Sequence, residues 1–413
     1  MRGLGLGLLW LAVALAPSLA WAASAGTLKL EVVLVRHGVR SPTSAPEALG
    51  KYSRQPWPEW PVAPGVLTEH GAQGMQSLGA RYRERYASSG LWNGRCDTVA
   101  DILIVADSTP RNRDSAAAFG RGLGGDCALG YLAREQGQDN RLFHFQRKDG
   151  DDDDAATWPK TPAQLELLQE VLLGCRGETC RKGAEIAGTK LLLDGSVAPE
   201  ALAKAMKTAG SLSENLMLEY AQGMPLDRVA WGRGGAATIG QLIQLHNLQF
   251  AASKKPLAQA QRSASNLLAH IVATLEAAAG RQGDVQPLAD ASMRAVILVG
   301  HDTNLAQVSG LLGTQWHSAA QPDDYPPGGA MVFQLWEDKG HYTVRVHALL
   351  PTLQGLREAN LARADSLIDM PLAFGPCAAA KSCSLEAFVQ WTSGRILPAA
   401  VEAAIPAMQH TAP

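Results

Sequence analysis

The sequence predicts an α/β fold: a mixed-sheet core domain flanked by helices, interrupted by an inserted, mainly helical domain. Three observations lead there. Strand-like apolar runs cluster in the first and last thirds of the 413 residues. Helical periodicity fills the middle. No Pro-, Gly- or Ser-rich linker divides the chain, although its length exceeds one typical core. We find no internal repeat.

The elements follow in order. Residues 1–22 carry an early Arg2, an apolar run from Leu4 to Ala16, Pro17, and the small-x-small sequence Ala20-Trp21-Ala22. That is the layout of a cleavable signal peptide, and the run is too short to span a bilayer comfortably. The first core segment, 23–140, holds strands Leu28–Val35 and Ile102–Ala106 and helices Thr68–Ser88 and Asn112–Gly122. The inserted segment, 141–254, holds helices Gln164–Leu173, Ser211–Ala221 and Gly240–Ala252. The second core segment, 255–413, holds helix Pro256–Ala279 and strands Ala295–Val299, Met331–Leu335 and Tyr342–Leu349. An acidic run, Asp149 to Asp154, matches no EF-hand spacing and reads as a solvated loop.

Charge narrows the function. Without Arg2 there are 36 basic and 39 acidic residues, a net charge of −3, which offers no global field for nucleic acid. Any attraction for an anion is therefore local. Directly after the first strand the chain reads Arg36-His37-Gly38-Val39-Arg40-Ser41-Pro42-Thr43. Two guanidiniums can fork onto phosphate oxygens, and a neutral imidazole can attack phosphorus. Gly38 is expected to let the backbone pass close to the ligand. Far downstream, strand Ala295–Val299 runs into Gly300-His301-Asp302-Thr303-Asn304. Strand ends are where open α/β sheets bind ligands. There His301 can donate to phosphate, and Asp302 can protonate a leaving alcohol. Thr109-Pro110-Arg111 follows the Ile102–Ala106 strand and aims Arg111 at the same crevice, whereas Arg113 faces away.

The Arg-His-Gly-x-Arg-x-Pro run with a distant His-Asp resembles the histidine acid phosphatase family, and most of all its bacterial periplasmic phytase branch. Further stretches carry the resemblance: Ile102–Asp107 with Arg111, Arg113, Ala118-Phe119, Gly122-Leu123 and Asp126-Cys127, then Gln222–Pro225, Trp231–Arg233, Leu245–Asn247, Pro326–Gly329 and Cys383–Phe388. It runs from about residue 28 to 395 and is weakest near 130–210. It implies a histidine phosphatase-like fold and an acid phosphomonoesterase that works through a phosphohistidine. His37 would be the nucleophile and Asp302 the acid, with phosphate held by Arg36, Arg40, Arg111 and His301. No metal or cofactor is implied, because the arginines supply the charge. An acid optimum is expected if Asp302 must begin protonated.

A phosphorylated small-molecule substrate such as phytate, a monomer, and no nucleic-acid or membrane partner are expected, and the signal peptide with the even cysteine count implies a periplasmic or secreted location. Thr43 matches a position that can contact phytate. Ser44 stands where bacterial phytases have a lysine for a distal phosphate, so Thr43, Ser44 and Thr303 form the expected specificity pocket. Alternatives are a glucose-1-phosphatase or a broad-specificity acid phosphatase. From other classes come a mutase-like phosphotransferase and an inactive phosphate-ester binding protein. Six cysteines allow 15 pairings. Adjacency favours Cys96/Cys127, Cys175/Cys180 and Cys377/Cys383, and the family has disulfides at matching positions. A further family disulfide to the C-terminus has no counterpart, so the tail after Ile396 is expected to be less firmly fixed. His246-Asn247 is as well explained by a structural histidine as by a cleft residue, and His70 is assigned no role.

Overall fold

In the computed structural model the described residues are 26–145, 163–192, 199–378 and 382–412. The expected signal peptide and the acidic run at 149–154 lie outside them. Nine strands form one sheet: β1 (Thr27–Arg36), β2 (Ile102–Ala106), β3 (Tyr131–Ala133), β4 (Ala295–Gly300), β5 (Ala330–Asp338), β6 (His341–Pro351), β7 (Leu367–Pro371), β8 (Cys383–Ser384) and β9 (Gln409–Thr411). Their order is β7-β6-β5-β1-β4-β2-β3-β9, with β8 added beside β6. The β1, β4, β2 and β3 strands are parallel neighbours, whereas β5 to β9 pair antiparallel. The fold is thus a mixed α/β sheet flanked by helices.

β1 and β4 are central because they are apolar on both faces. Val32 to Val35 and Ala295 to Val299 are fully buried, as expected for strands covered on both sides. One face packs on α1 (Glu69–Ser89) and α2 (Pro110–Gly124) through Met75, Leu78, Tyr82 and Phe119. The other packs on a long helix, Leu257–Ala278, and on the helix Asp302–Leu312 that leaves β4. Between β3 and β4 the described residues form helices and turns without a strand. In chain order these helices are α3 (Ala163–Leu173), α4 (Gly177–Ile186), α5 (Pro199–Ala221), α6 (Ala236–Leu242), α7 (Gln244–Ser253) and α8 (Leu257–Ala278). α9 is the helix Asp302–Leu312.

Several element bounds differ from the sequence pattern. α5 starts well before Ser211, because Ala201 to Met206 are strong helix formers that extend it. The single helix expected at Gly240–Ala252 is two, α6 and α7, meeting at Ile243. β3, β7, β8 and β9 are short strands at or next to the sheet edges, with little periodicity to read.

The cysteines pair as Cys96–Cys127, Cys175–Cys180 and Cys377–Cys383. The C-terminal tail is fixed without a disulfide, contrary to the expectation. β9 extends the sheet at β3. The amides of Leu397 and Glu402 donate to Ser265 Oγ and Asn266 Oδ1 on α8, and Arg141 pairs with Glu402 at 2.8 Å. Among the described residues no helix is long and apolar enough to cross a membrane.

Candidate active site

The site forms where three parallel strands end side by side. Arg36, the last residue of β1, lies opposite Gly300 of β4. The His37 amide donates to Gly300 O at 3.0 Å, and the Asp107 amide, just past β2, donates to Val299 O at 3.0 Å. These ladder bonds set His37, His301 and Asp107 around one crevice at the carboxyl ends of the strands. The His37 and His301 rings meet edge to face, 5.6 Å apart.

The loop after β1 is held by α1. Thr68 caps that helix by accepting from the Gly71 amide, and both its own amide and its hydroxyl donate to Val39 O. A side chain at Gly38 would lie 2.8 Å from Gly71 O and 2.7 Å from Met75 Cγ. One at Gly71 would lie 2.0 Å from Val39 O. Gly38 is therefore needed for close packing on α1 rather than for room beside a ligand, which corrects the sequence-based reading.

His37 is almost wholly buried, and its Nδ1 lies 2.9 Å from Gly38 O. A carbonyl oxygen can only accept, so Nδ1 carries the proton and Nε2 keeps its lone pair. Burial, and then Arg36, Arg111, Arg40 and His301, push the imidazole well below its ordinary pKa. The ring stays neutral in acid, the state a nucleophile needs.

Arg36 and Arg40 are tied to carboxylates. Arg36 is fully buried and donates to Tyr325 O. Its Nη2 pairs with Glu214 and, at 2.8 Å, with Asp302 Oδ2, while Nη1 lies 3.6 Å from Asp323 Oδ2. Arg40 donates to both oxygens of Glu214, at 3.1 and 3.2 Å. Arg111 reaches from the first turn of α2 to within 3.3 Å of His301 Nδ1. Burial, with Arg40 next, lowers its pKa. Arg113 turns away and donates to Arg134 O at 2.7 Å.

Asp302 opens α9. His301 immediately precedes that helix, and its amide donates to Asn304 Oδ1 at 2.8 Å. Asn304 in turn donates to Phe143 O at 2.7 Å, tying the 140–145 loop to the start of α9. Burial would raise the Asp302 carboxyl, but Arg36 leads His246, Arg40 and His301 in holding it far below the usual carboxylate range. Asp302 is thus a carboxylate in this arrangement, even in moderate acid. The simple expectation that its ordinary pKa sets an acid optimum needs revision: any proton it delivers must arrive with the substrate.

Glu214 escaped the sequence reading. It lies within α5 among the buried residues Leu212 to Ala221, so a charged residue inside an otherwise enclosed helical stretch was the available signal. Burial pushes its carboxyl up, but Arg40 and Arg36 outweigh this and hold it below its ordinary value. His246 is also buried, 3.5 Å from Asp323 Oδ1, and that contact outweighs burial to raise its pKa. Asn247 bonds Pro322 O and the Asp324 amide, a structural role. His70 bonds Leu356 O.

Thr43 and Ser44 are exposed on the loop after Arg40. A side chain built at Gly65 would touch both Thr43 and Arg111, which places Thr43 at the mouth of the crevice. Ser44 lines a cavity of about 220 Å³ with Ser41, Trp57 and Trp60, and the one charged lining residue is Glu59. Thr303 is half-buried, its amide donating to Asp302 Oδ1.

Among the described residues two groups of side chains have the donor types of a metal site: Asp107, His144 and His301, and Glu214, His246 and Asp302. In the second group the Arg36 guanidinium already sits on Glu214 and Asp302 as the local cation. In the first, Asp107 Oδ2 already lies 2.9 Å from His301 Nε2 and 3.1 Å from His144 Nε2.

Residues 27–172 match the histidine phosphatase superfamily (branch 2). Those residues carry the likeness to a histidine phosphatase domain of that branch. Over 97% of its length it is 29% identical to phytase AppA of Escherichia coli (strain K12), covering 99% of that enzyme. It is also 25% identical to the glucose-1-phosphatase of Providencia rettgeri, over 79% of this chain and 81% of that one. The Hafnia alvei phytase matches at a TM-score of 0.78 and 29% identity, covering 92% of this chain and 100% of its own. That phytase is also known in complex with myo-inositol hexakis sulphate, matching at a TM-score of 0.72. These similarities support a hydrolase of phosphate esters.

Proposed function

We propose that the protein is an acid phosphomonoesterase whose preferred substrate is phytate, acting through a phosphohistidine on His37. The observation that carries this is a neutral, buried imidazole with a bare Nε2, placed among three arginines at adjoining strand ends. Arg36, Arg40 and Arg111 surround the transferring phosphoryl group and stabilise charge on its equatorial oxygens. His301 donates from Nδ1, held in place by Asp107 behind it.

His37 Nε2 attacks phosphorus as the P–O bond to the alcohol breaks, and Asp302 gives its proton to the leaving oxygen. The Asp302 carboxylate then takes a proton from water. That water's oxygen attacks phosphorus, the P–N bond breaks, and His37 is regenerated with inorganic phosphate released. The ester's phosphate must first take Arg36 and Arg40 from Glu214 and Asp302. Adding that negative charge beside two carboxylates draws a proton from solution onto Asp302, so ester binding and loading of the acid occur together. This supplies the acid preference.

The phytate reading draws on the similarity to the two phytases. A second reading, a phosphatase for simple monoesters, is favoured by one feature: no basic residue lines the cavity beside Ser44. We further read residues 1–22 as a signal peptide, the protein as a periplasmic monomer, and residues 141–254 as an insertion that caps the crevice. The test is phosphate release from phytate and from para-nitrophenyl phosphate across pH 3–8, with rapid-quench labelling of wild type and His37→Ala. Turnover and protein-bound phosphate should both vanish in a folded His37→Ala. Wild-type-like turnover in that variant would refute the covalent mechanism.

A further inference from the structure

Behind His301 stands a second histidine that the proposed reaction does not use. Asp107 is wholly buried, and one of its oxygens, Oδ2, lies 2.9 Å from His301 Nε2 and 3.1 Å from His144 Nε2. The two rings are 5.0 Å apart. His144 is held in place: the amides of Phe143 and His144 bond Asn140 O, and Phe143 O accepts from Asn304 on α9. Its side chain is 31% exposed, against 7% for His301.

These contacts fix the proton positions. A guanidinium N–H can only donate, so His301 Nδ1, 3.3 Å from Arg111 Nη2, is an acceptor, and the ring's one proton sits on Nε2 facing Asp107. To donate to a phosphate from Nδ1, His301 must take up a second proton. The Asp107 carboxylate favours that step. His144 shares that carboxylate oxygen, so it competes with His301 for Asp107, and a charged ring so close would repel a charged His301.

We infer that His144 is a positioning residue that acts through the shared Asp107 to set when His301 becomes a phosphate donor. A charged His144 draws off the support of Asp107 and keeps His301 neutral. Phosphate at Nδ1 opposes this and draws a second proton onto His301. The pKa of His301 is lowered by burial first and by Arg111, with His144 adding to the lowering, while Asp107 opposes it. Arg111 faces the far side of His301, the His37 ring lies 5.6 Å from it, the Asp302 carboxylate follows it in the chain, and Arg141, on the loop of His144, pairs with Glu402. The inference rests on the reading of His301 as a phosphate ligand.

The experiment follows the ring nitrogens of His301 by ¹⁵N-histidine NMR from pH 4 to 8 in EDTA-containing buffer. Wild type, His144→Asn and His144→Phe are compared, each with and without inorganic phosphate. Asn offers Asp107 an uncharged donor, and Phe keeps a ring against His301 with neither donor nor charge. In both variants His301 should take its second proton about one pH unit higher. Inhibition by inorganic phosphate near pH 6 should tighten several-fold. A His301 titration that stays unmoved in both variants overturns the inference, since a residue that merely props the loop would leave it so. Failure of phosphate to perturb His301 in wild type would instead sink the phosphate-ligand reading. The linkage between the two rings would still be read from the titrations.

Discussion

Glu214→Gln offers a sharp test of how the arginines are held. Glu214 takes an Nη2 contact from Arg36 and two from Arg40, at 3.1 and 3.2 Å. Those are the N–H groups that a phosphate ester must engage, so Glu214 competes with substrate for them. A hydrogen bond to a charged group contributes about 1.5–3 kcal/mol and a neutral one about 0.5–1.5. The amide keeps the size and one acceptor oxygen but gives up the charge. The hold on the arginines should therefore weaken by about 1 kcal/mol per bond, and by about 1.5–3 kcal/mol in all if the bonds are partly additive. Inorganic phosphate should then inhibit about 10- to 100-fold more tightly. Because Arg40 and Arg36 hold the Glu214 carboxyl below its ordinary value, it remains ionised into moderate acid. The difference between variant and wild type should thus be full at neutral pH and shrink only below the depressed pKa. Competitive inhibition of para-nitrophenyl phosphate hydrolysis, measured from pH 4 to 7 beside a thermal melt, reads the effect. Unchanged or weaker phosphate binding in a stably folded variant would refute the competition and make Glu214 a scaffold that orients the guanidiniums.

Other perturbations separate the remaining roles. Asp302→Asn should cost 10²- to 10⁴-fold, about the worth of a general acid, for esters with alkyl leaving groups. It should cost less for para-nitrophenol, and equal losses would argue for a purely electrostatic role. Ser44→Lys places a cation in a cavity that has none and should raise the phytate-to-monoester ratio of kcat/KM roughly tenfold. An unchanged ratio with both activities intact would remove Ser44 from the specificity pocket.

The core strands and the crevice at their ends were legible because both are written locally. Leu28–Val35 alternates as far as Val32 and is apolar from there, Ala295–Val299 is apolar throughout, and the two stop at Arg36 and Gly300, with the site residues following at once. Arg36, His37, Arg40, Arg111, His301 and Asp302 accordingly meet where the strand ends suggested. What was not legible depends on partners distant in the chain. Glu214 looks like one more polar residue on a helix until Arg36 and Arg40 arrive 178 and 174 residues away. His144 has no motif, and only the fold puts it on the same oxygen as His301. Gly38 was rightly singled out for the wrong reason, because its close neighbour, Gly71, lies on a helix whose docking no local pattern reveals. The start of α9 was obscured by the polar run Asp302-Thr303-Asn304, in which Asp302 Oδ1 accepts from the Thr303 amide and Asn304 Oδ1 from the His301 amide.

The pairing of β1 with β4 has a consequence for biosynthesis. His37 leaves the ribosome 265 residues before Asp302, which at about 5–20 residues per second means a delay of about 13–53 seconds. Throughout it β1 lacks both of its eventual neighbours, β4 and β5. Its apolar residues and open backbone edges are then a template for unwanted pairing. A nascent chain therefore has no phosphatase activity to release early, and its most aggregation-prone strand needs shelter until the last third is made.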